Sequence, residues 1–474
     1  MAEILKFPDG FLWGVATSAF QVEGHPFESS GQGSDWSVWA AQGNIKDKTT
    51  AEQACEFYSR YPEDIKLCKE LNISAFRIGL NWPALRPCKT DSFALDPDAV
   101  KYYRQMLEHI KQAGMKTFVT LFHFCLPQWL AEEGGWLNKQ TVEEFALFTE
   151  AAAQEFGDLV DYWLTVNEPL VYVYQGYISG FWPPGIKHNY LKAFQAMRSL
   201  LEGHARAYEA IHRVAKTNNW HSPMVSYAIH WRPFMARNKF NPLDQLVRFL
   251  RDQIFNHIFP QAVQTGQLNF PYPLSLLNEI KAISGEIKEL KQSLDYLGIN
   301  YYTREICEFA WTWPIDVFGK QSDINHMETT DLGWEIYPQG LYYLLTEDLA
   351  PFRWDKDGNQ MPIFITENGM ATLHHHELSE GDWSLDDENR KLFLIQHIAA
   401  LHKAIEDGAN VKGYLYWSLL DNFEWAEGLQ PRFGLVRISY PTQDRSLRKS
   451  AELYSSVAAT NCITLPDPIW TPVK

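Results

Sequence analysis

Residues 161–169 read DYWLTVNEP and residues 362–370 read PIFITENGM. Each is a short apolar run rich in β-branched and aromatic residues. Each ends on a glutamate beside an asparagine, Glu168 after Asn167 and Glu367 before Asn368. Such a run signals a strand, and a polar group at its end belongs to the rim of the sheet the strand enters. Working outward, runs of the same character lie at 11–24, 75–82, 116–124, 222–230, 296–303 and 411–422. Between them are amphipathic stretches with helical spacing, clearest at 98–113, 141–156, 189–216 and 388–407, the last followed by Gly408 as a C-cap. Eight strand–helix units predict an α/β fold, a (β/α)8 TIM barrel of parallel strands. Polar residues gather toward the C-terminal ends of the runs: Gln21, Arg77, His123, Asn167, Glu168, Asn300 and Glu367. That is the end at which such barrels carry their active sites. The long connection at 303–340 is expected to pass over the mouth, and residues 1–474 are read as a single catalytic barrel domain with long βα loops.

The chain has 42 basic and 58 acidic residues, a net charge of −16. Nucleic acid and anionic membrane surfaces need a basic face, so neither is expected as a partner. A small-molecule or oligosaccharide ligand fits better. Six scattered cysteines form no CxxC pair; they read as reduced thiols and, with an N-terminus lacking a secretory pattern, point to a cytoplasmic protein. No uncharged apolar stretch of about 18 residues predicts a membrane span. The run His374-His375-His376-Glu377 invites a metal, but consecutive histidines point in different directions and seldom share one ion. It is read as a solvated loop, and neither metal nor cofactor is expected. The chain holds 18 Trp, 22 Tyr and 28 Phe. Most should be core, but some should line a cleft, where the flat C–H faces of sugars rest on rings.

Two rim carboxyl groups on strands four and seven of one barrel face each other across its mouth. Glycosidic cleavage needs such a pair, one to protonate the departing oxygen and one to attack the anomeric carbon or activate water. On residues 11–24, TVNEP at 165–169, IFITENG at 363–369 and WSLLDNFEW at 417–425, the sequence resembles family 1 of the glycoside hydrolases, the β-glucosidase and β-galactosidase family. The likeness runs from residue 7 to about 459.

That resemblance implies a retaining exo-β-glycosidase with Glu168 as acid/base and Glu367 as nucleophile. Arg77 and Tyr302 would stand beside the nucleophile, and Asn300 would complete the catalytic group. It implies Gln21, His123, Phe124, Asn167, Glu424 and Trp425 as sugar binders and Trp417 as a stacking platform. Trp334, Trp182 and Phe433 match or approach the aglycone side, and Trp311 and Trp313 are further candidates there. An ionised Glu367 should raise the pKa of Glu168. The two carboxyl groups should lie about 5 Å apart in a retaining enzyme. The family's phosphosugar branch has serine near Glu424 and a lysine nearby. Two acids at Glu424 and Glu427 therefore imply unphosphorylated substrates. Transglycosylation by the same site and a noncatalytic sugar-binding barrel are the rival readings. Cys125, where the family often has aspartate, removes a carboxylate. The strand-two run FRIGLNW at 76–82 departs from the usual form, as does Arg437-Ile438-Ser439 near the end.

Overall fold

The computed structural model describes residues 3–24, 33–272, 274–311, 319–324, 327–373 and 384–465. The histidine run at 374–376 and Trp313 lie outside them. Eight strands close into a barrel: β1 Leu12–Ala16, β2 Ala75–Gly79, β3 Lys116–Phe122, β4 Tyr162–Asn167, β5 Met224–His230, β6 Leu297–Asn300, β7 Ile363–Asn368 and β8 Val411–Trp417. Each pairs in parallel with the next, and β8 pairs with β1. The helices between them include α1 Phe57–Glu70, α2 Pro97–Gln112, α3 Lys139–Phe156, α4 Tyr190–Thr217, α5 Ile258–Thr265, α6 Pro338–Tyr343, α7 Ser384–Glu406 and α8 Lys449–Thr460. This is the (β/α)8 architecture the alternation predicts.

Local chemistry moves some boundaries. Helix α2 starts at Pro97, because the Asp96 carboxylate accepts from the backbone N–H groups of Asp98 and Ala99 and Pro97 is preset for the first helical position. Gly408 follows α7 at φ +98°, as a C-cap should. The run at 11–24 is strand only to Ala16, and Ala19–Val22 is a helical turn, so Gln21 is carried on a helix and not at a strand end. The run at 411–422 leaves the sheet at Trp417, whose peptide bond to Ser418 is cis. All six cysteines are free, and among the described residues no helix is long and apolar enough to cross a membrane.

The barrel interior is plugged by a layer made of Ala75, Phe118, Leu164, Ala228, Tyr296, Phe364 and Leu415, all buried. Phe118 stacks on Tyr162 at 4.2 Å, and the Tyr296 hydroxyl donates to the Trp163 carbonyl. A strand returns to the same face every second residue. Two positions beyond the plug, toward the C-terminal ends, the inward residues on β2, β3 and β7 are Arg77, Thr120 and Thr366. The plug therefore forms the floor of the site.

Above the mouth, the connections after β5 and β6 join in a small sheet: Glu305–Phe309 pairs antiparallel with Gly319–Gln321 and parallel with Phe234–Ala236. The predicted excursion at 303–340 is thus partly structured. Beyond β8, the segment 418–438 is braced by Asp421, fully buried, which accepts from both terminal nitrogens of Arg448 at 2.9 Å and from the Gly434 amide at 2.9 Å. Breaking a buried pair leaves an uncompensated charge. Asp421→Ala is expected to lose about 3–5 kcal/mol of stability, read as a lower midpoint in urea denaturation.

Candidate active site

Strict alternation from the floor residues Leu164 and Phe364 would turn Asn167 on β4 and Glu367 on β7 away from the interior. On β7 the floor residue Phe364 and then Thr366 face inward, which sends Glu367 outward. The pairing register with β8 shifts between Ile365 and Asn368, and the register between β6 and β7 shifts at Ile299–Asn300. On β4 the register with β5 shifts between Leu164 and Asn167. Such irregularities re-aim side chains, and here they bring Asn167, Asn300 and Glu367 to one place. Glu168 takes a left-handed conformation at φ +42° as it enters the helix Pro169–Tyr174, and Phe124 and Trp425 share that region at φ +71° and +46°. Non-glycine residues held there carry strain that the surroundings must hold, and all three line one cavity. Gly369 has no side chain for a related reason: a Cβ would lie 1.8 Å from the Trp417 carbonyl.

Arg77 organises the centre. Its guanidinium is fully buried. It donates to Glu367 Oε1 at 2.7 Å, to Asn167 Oδ1 at 2.7 Å, to Thr120 Oγ1 at 3.0 Å and to the Thr366 carbonyl at 3.2 Å. The Tyr302 hydroxyl donates to the other oxygen of Glu367 at 2.7 Å. Across the cavity, Asn300 Nδ2 donates to Glu168 Oε1 at 2.8 Å, while Asn300 Oδ1 accepts from Thr366 Oγ1 at 2.7 Å. Because Asn167 Oδ1 accepts from Arg77 and from Asn300, its Nδ2 donates to His123 Nε2 at 3.1 Å. Burial and the Arg77 charge push the His123 ring well below its usual range, so it is neutral with its proton on Nδ1.

The structure brings together the residues read from the sequence. His123, Phe124, Asn167, Glu168, Tyr302, Glu367, Trp417, Glu424 and Trp425 line the cavity, as do the rings of Trp182, Trp334 and Phe433. Trp334 meets Tyr302 at 5.5 Å and Phe433 at 6.1 Å; it is held there because Arg304 grips Glu335 through two bonds. Trp417 lies 5.8 Å from His123 and nearly parallel to it. Arg77, Asn300 and Gln21 are buried beside the cavity and act on its lining. Trp311 stands apart, 87% exposed on the excursion.

The charges differ from expectation at three carboxyl groups. Burial pushes Glu424 up to about 8, helped by the neighbouring carboxyl groups of Glu367, Glu168 and Glu427. Near neutrality it is therefore protonated, able to donate as well as accept. Burial likewise pushes Glu367 to about 7 in spite of Arg77. For Glu168 burial pushes up, and a charged His230 with the hydrogen bonds from His230 and Asn300 pulls it down past that; burial lowers the His230 ring as well, so the pull of its charge is lost near neutrality. The anticipated upward shift of Glu168 omitted this histidine.

Comparison with known proteins accords with this geometry. The model of the family described as glycosyl hydrolase family 1 matches residues 4–463. The chain is 33% identical over 466 residues to "Beta-glucosidase A" of Thermotoga maritima, covering 97% of this chain and 99% of that one. It is 32% identical to a "6-phospho-beta-galactosidase" of Leptotrichia buccalis, covering 96% and 99%. A solved family 1 β-glucosidase from Thermotoga maritima superposes with a TM-score of 0.85 at 30% identity, covering 98% of this chain and 100% of that one. The chain belongs to glycosyl hydrolase family 1. It is a β-glucosidase-like glycoside hydrolase.

In this family 1 member, sequence reasoning missed several residues of the site. His230 ends β5 and lines the cavity, as do Arg232, Gln175 and Val171. The signal for His230 was present, since it is the polar residue closing the run at 222–230. Thr120 and Thr366 look like ordinary strand residues and are revealed only by their bonds to Arg77 and Asn300. The carboxylate lost at Cys125 has a neighbour from elsewhere: buried Asp35 accepts from the Leu126 amide at 2.9 Å. Because the Tyr302 hydroxyl lowers Glu367, Tyr302→Phe should move the Glu367 titration further above 7, by about one pH unit, read from the carboxyl band in infrared difference spectra.

Proposed function

We propose that the protein is a retaining exo-β-glycosidase that hydrolyses β-D-glucosides, and β-D-galactosides or β-D-fucosides, by double displacement through a covalent glycosyl-enzyme. One observation carries the reading: Glu367, held through both oxygens by Arg77 and Tyr302, shares a cavity with Glu168, which is tied to it by Asn300 and Thr366. In the first half, the Glu367 carboxylate bonds to the anomeric carbon as the glycosidic bond breaks, and Glu168 gives its proton to the departing oxygen. In the second, water attacks that carbon, Glu168 takes the water's proton and Glu367 leaves. A carboxyl separation of about 5 Å belongs to this reading.

The first half needs charge on Glu367 and a proton on Glu168. Only Glu367 has a permanent cation against it, and Tyr302 can only donate to it at neutral pH. The cation that would draw charge to Glu168 is His230, and burial lowers that ring, so it is neutral at pH 7. We therefore place the single charge of the pair on Glu367. The glycone would lie on Trp417 with Gln21, His123, Asn167 and Glu424 reading its hydroxyls; Gln21 is aimed by Ser18 and by the Phe423 carbonyl. Unphosphorylated sugars suit a wall with three carboxyl groups, where among the described lining residues there is no lysine. The rings of Trp182, Trp334 and Phe433 would meet the aglycone.

The test is hydrolysis of p-nitrophenyl β-D-glucoside, β-D-galactoside and the galactoside 6-phosphate. Turnover of the first two and little of the third is expected. Glu367→Gly should lose about 10³-fold or more in kcat and recover with azide as an α-glycosyl azide. A β-product, or full activity of the variant, removes Glu367 as nucleophile. For the unaltered enzyme, kcat/KM should fall as pH drops through about 7, since Glu367 then takes up the proton that disables attack.

A further inference from the structure

His230 is a buried polar side chain of the cavity to which the reaction as described assigns no part. It is the last residue of β5, 6% exposed, and pairs across the sheet with Asn300. Its Nδ1 lies 3.4 Å from Glu168 Oε1, the oxygen that also accepts from Asn300. Tyr302 at 5.7 Å and Phe255 at 5.7 Å hold the ring. Among the described residues Nε2 is buried without a hydrogen-bond partner, and the carboxyl of Glu168 stands at Nδ1. A buried N–H without an acceptor costs more than it returns, so the ring proton belongs on Nδ1, facing that carboxyl. The charged and titratable groups around the pair are Arg232 on the His230 side, and Arg77, Glu367, Glu424 and Tyr302 on the Glu168 side. None of these others makes a direct bond to Glu168.

Resting on the assignment of Glu168 as acid/base, we propose that His230 is a positioning residue for it: Nδ1–H steadies the carboxylate form that draws the proton from water, and so sets the upper pH limit of the acid form. A group that donates to the ionised form favours that form. The benefit falls in the second half of the reaction, where Glu168 must be a base. The cost falls in the first half, where it must keep a proton. Asn300 donates to the same oxygen in both halves without changing charge. Of the two donors at Oε1, His230 is the titratable one.

The experiment compares His230→Asn and His230→Gln with the unaltered enzyme over pH, on phenyl β-D-glucoside, whose leaving group needs a proton, and 2,4-dinitrophenyl β-D-glucoside, whose leaving group does not. With phenyl glucoside the basic limb of kcat/KM should move up by about one pH unit, while the acidic limb from Glu367 stays in place. With the dinitrophenyl substrate kcat at neutral pH should fall, because attack by water then limits turnover. The second variant and thermal melting of both guard against misfolding. An unmoved basic limb in both folded variants, or an equal loss on both substrates at every pH, overturns the proposal and leaves His230 as packing. Glu168→Ala with azide separates this from the parent reading: recovery as a β-glycosyl azide upholds the acid/base assignment, and its absence overturns that assignment and His230's role with it.

Discussion

A guanidinium with no exposed surface is the constraint on which the centre of this molecule depends. An unpaired cation at the Arg77 position would be very costly to bury. The fold meets that demand with Glu367, Asn167, Thr120 and the Thr366 carbonyl, drawn from β3, β4 and β7. Each of these partners then fixes another. Asn167, its oxygen taken by Arg77, must point its amide nitrogen at His123, which fixes the histidine's tautomer. Glu367, with one oxygen on Arg77, offers the other to Tyr302. The strands cannot slide past one another without stranding the charge, so the cation acts as a register pin as well as an electrostatic partner.

Register also explains why the site needs departures from ideal sheet geometry. A perfectly alternating barrel presents every second residue inward, and β7 already uses Phe364 for the floor and Thr366 for the bond to Asn300. Glu367 can join them only if the strand loses phase, which it does between Ile365 and Asn368. The left-handed conformations of Glu168, Phe124 and Trp425 are the loop counterpart. Each is a place where a local preference yields to the demand that a particular side chain face the cavity. The surrounding aromatic contacts, such as Trp36 at 4.8 Å from Trp425, are what hold them.

This division accounts for what could be read from the chain. All eight strands and the helices at 98–113, 141–156, 189–216 and 388–407 were legible because burial imposes periods of two and 3.6 on the residues themselves. The residues proposed to carry the chemistry were legible because polar groups stand out at the ends of apolar runs and because the motifs resemble those of a known family. What was not legible depends on three-dimensional neighbours. Gln21 rides on a helical turn rather than a strand, and its side chain is aimed by Ser18 and the Phe423 carbonyl. Thr120 and Thr366 show nothing special until Arg77 and Asn300 are placed beside them. The protonation of Glu424 comes from burial among other carboxyl groups. Trp311 has the composition of a cleft residue, yet sits exposed. His230 was visible by the rule applied to its neighbours, but its importance comes from a 3.4 Å approach to Glu168 that spacing alone does not encode.

The protonated state of Glu424 alters the argument about substrate charge. Two acids at the rim were expected to exclude a 6-phosphate by repulsion, yet a neutral Glu424 repels little, and Glu427 is neutralised by Lys46 at 2.8 Å. What disfavours a phosphate here is the lack of compensation. A dianion entering the cavity must give up its water. Arg77 is already bound to Glu367. Arg232 is bound to Glu305, which it shares with Arg251. A phosphate would also raise Glu424 and Glu367 further, drawing protons onto the nucleophile that must be ionised. A neutral hydroxyl has none of these costs: it can donate to Gln21 or accept from a protonated Glu424, and it leaves the charge on Glu367 undisturbed. On the proposed reading, the same burial that would favour uncharged sugars in the pocket also keeps Glu367 poised near neutrality.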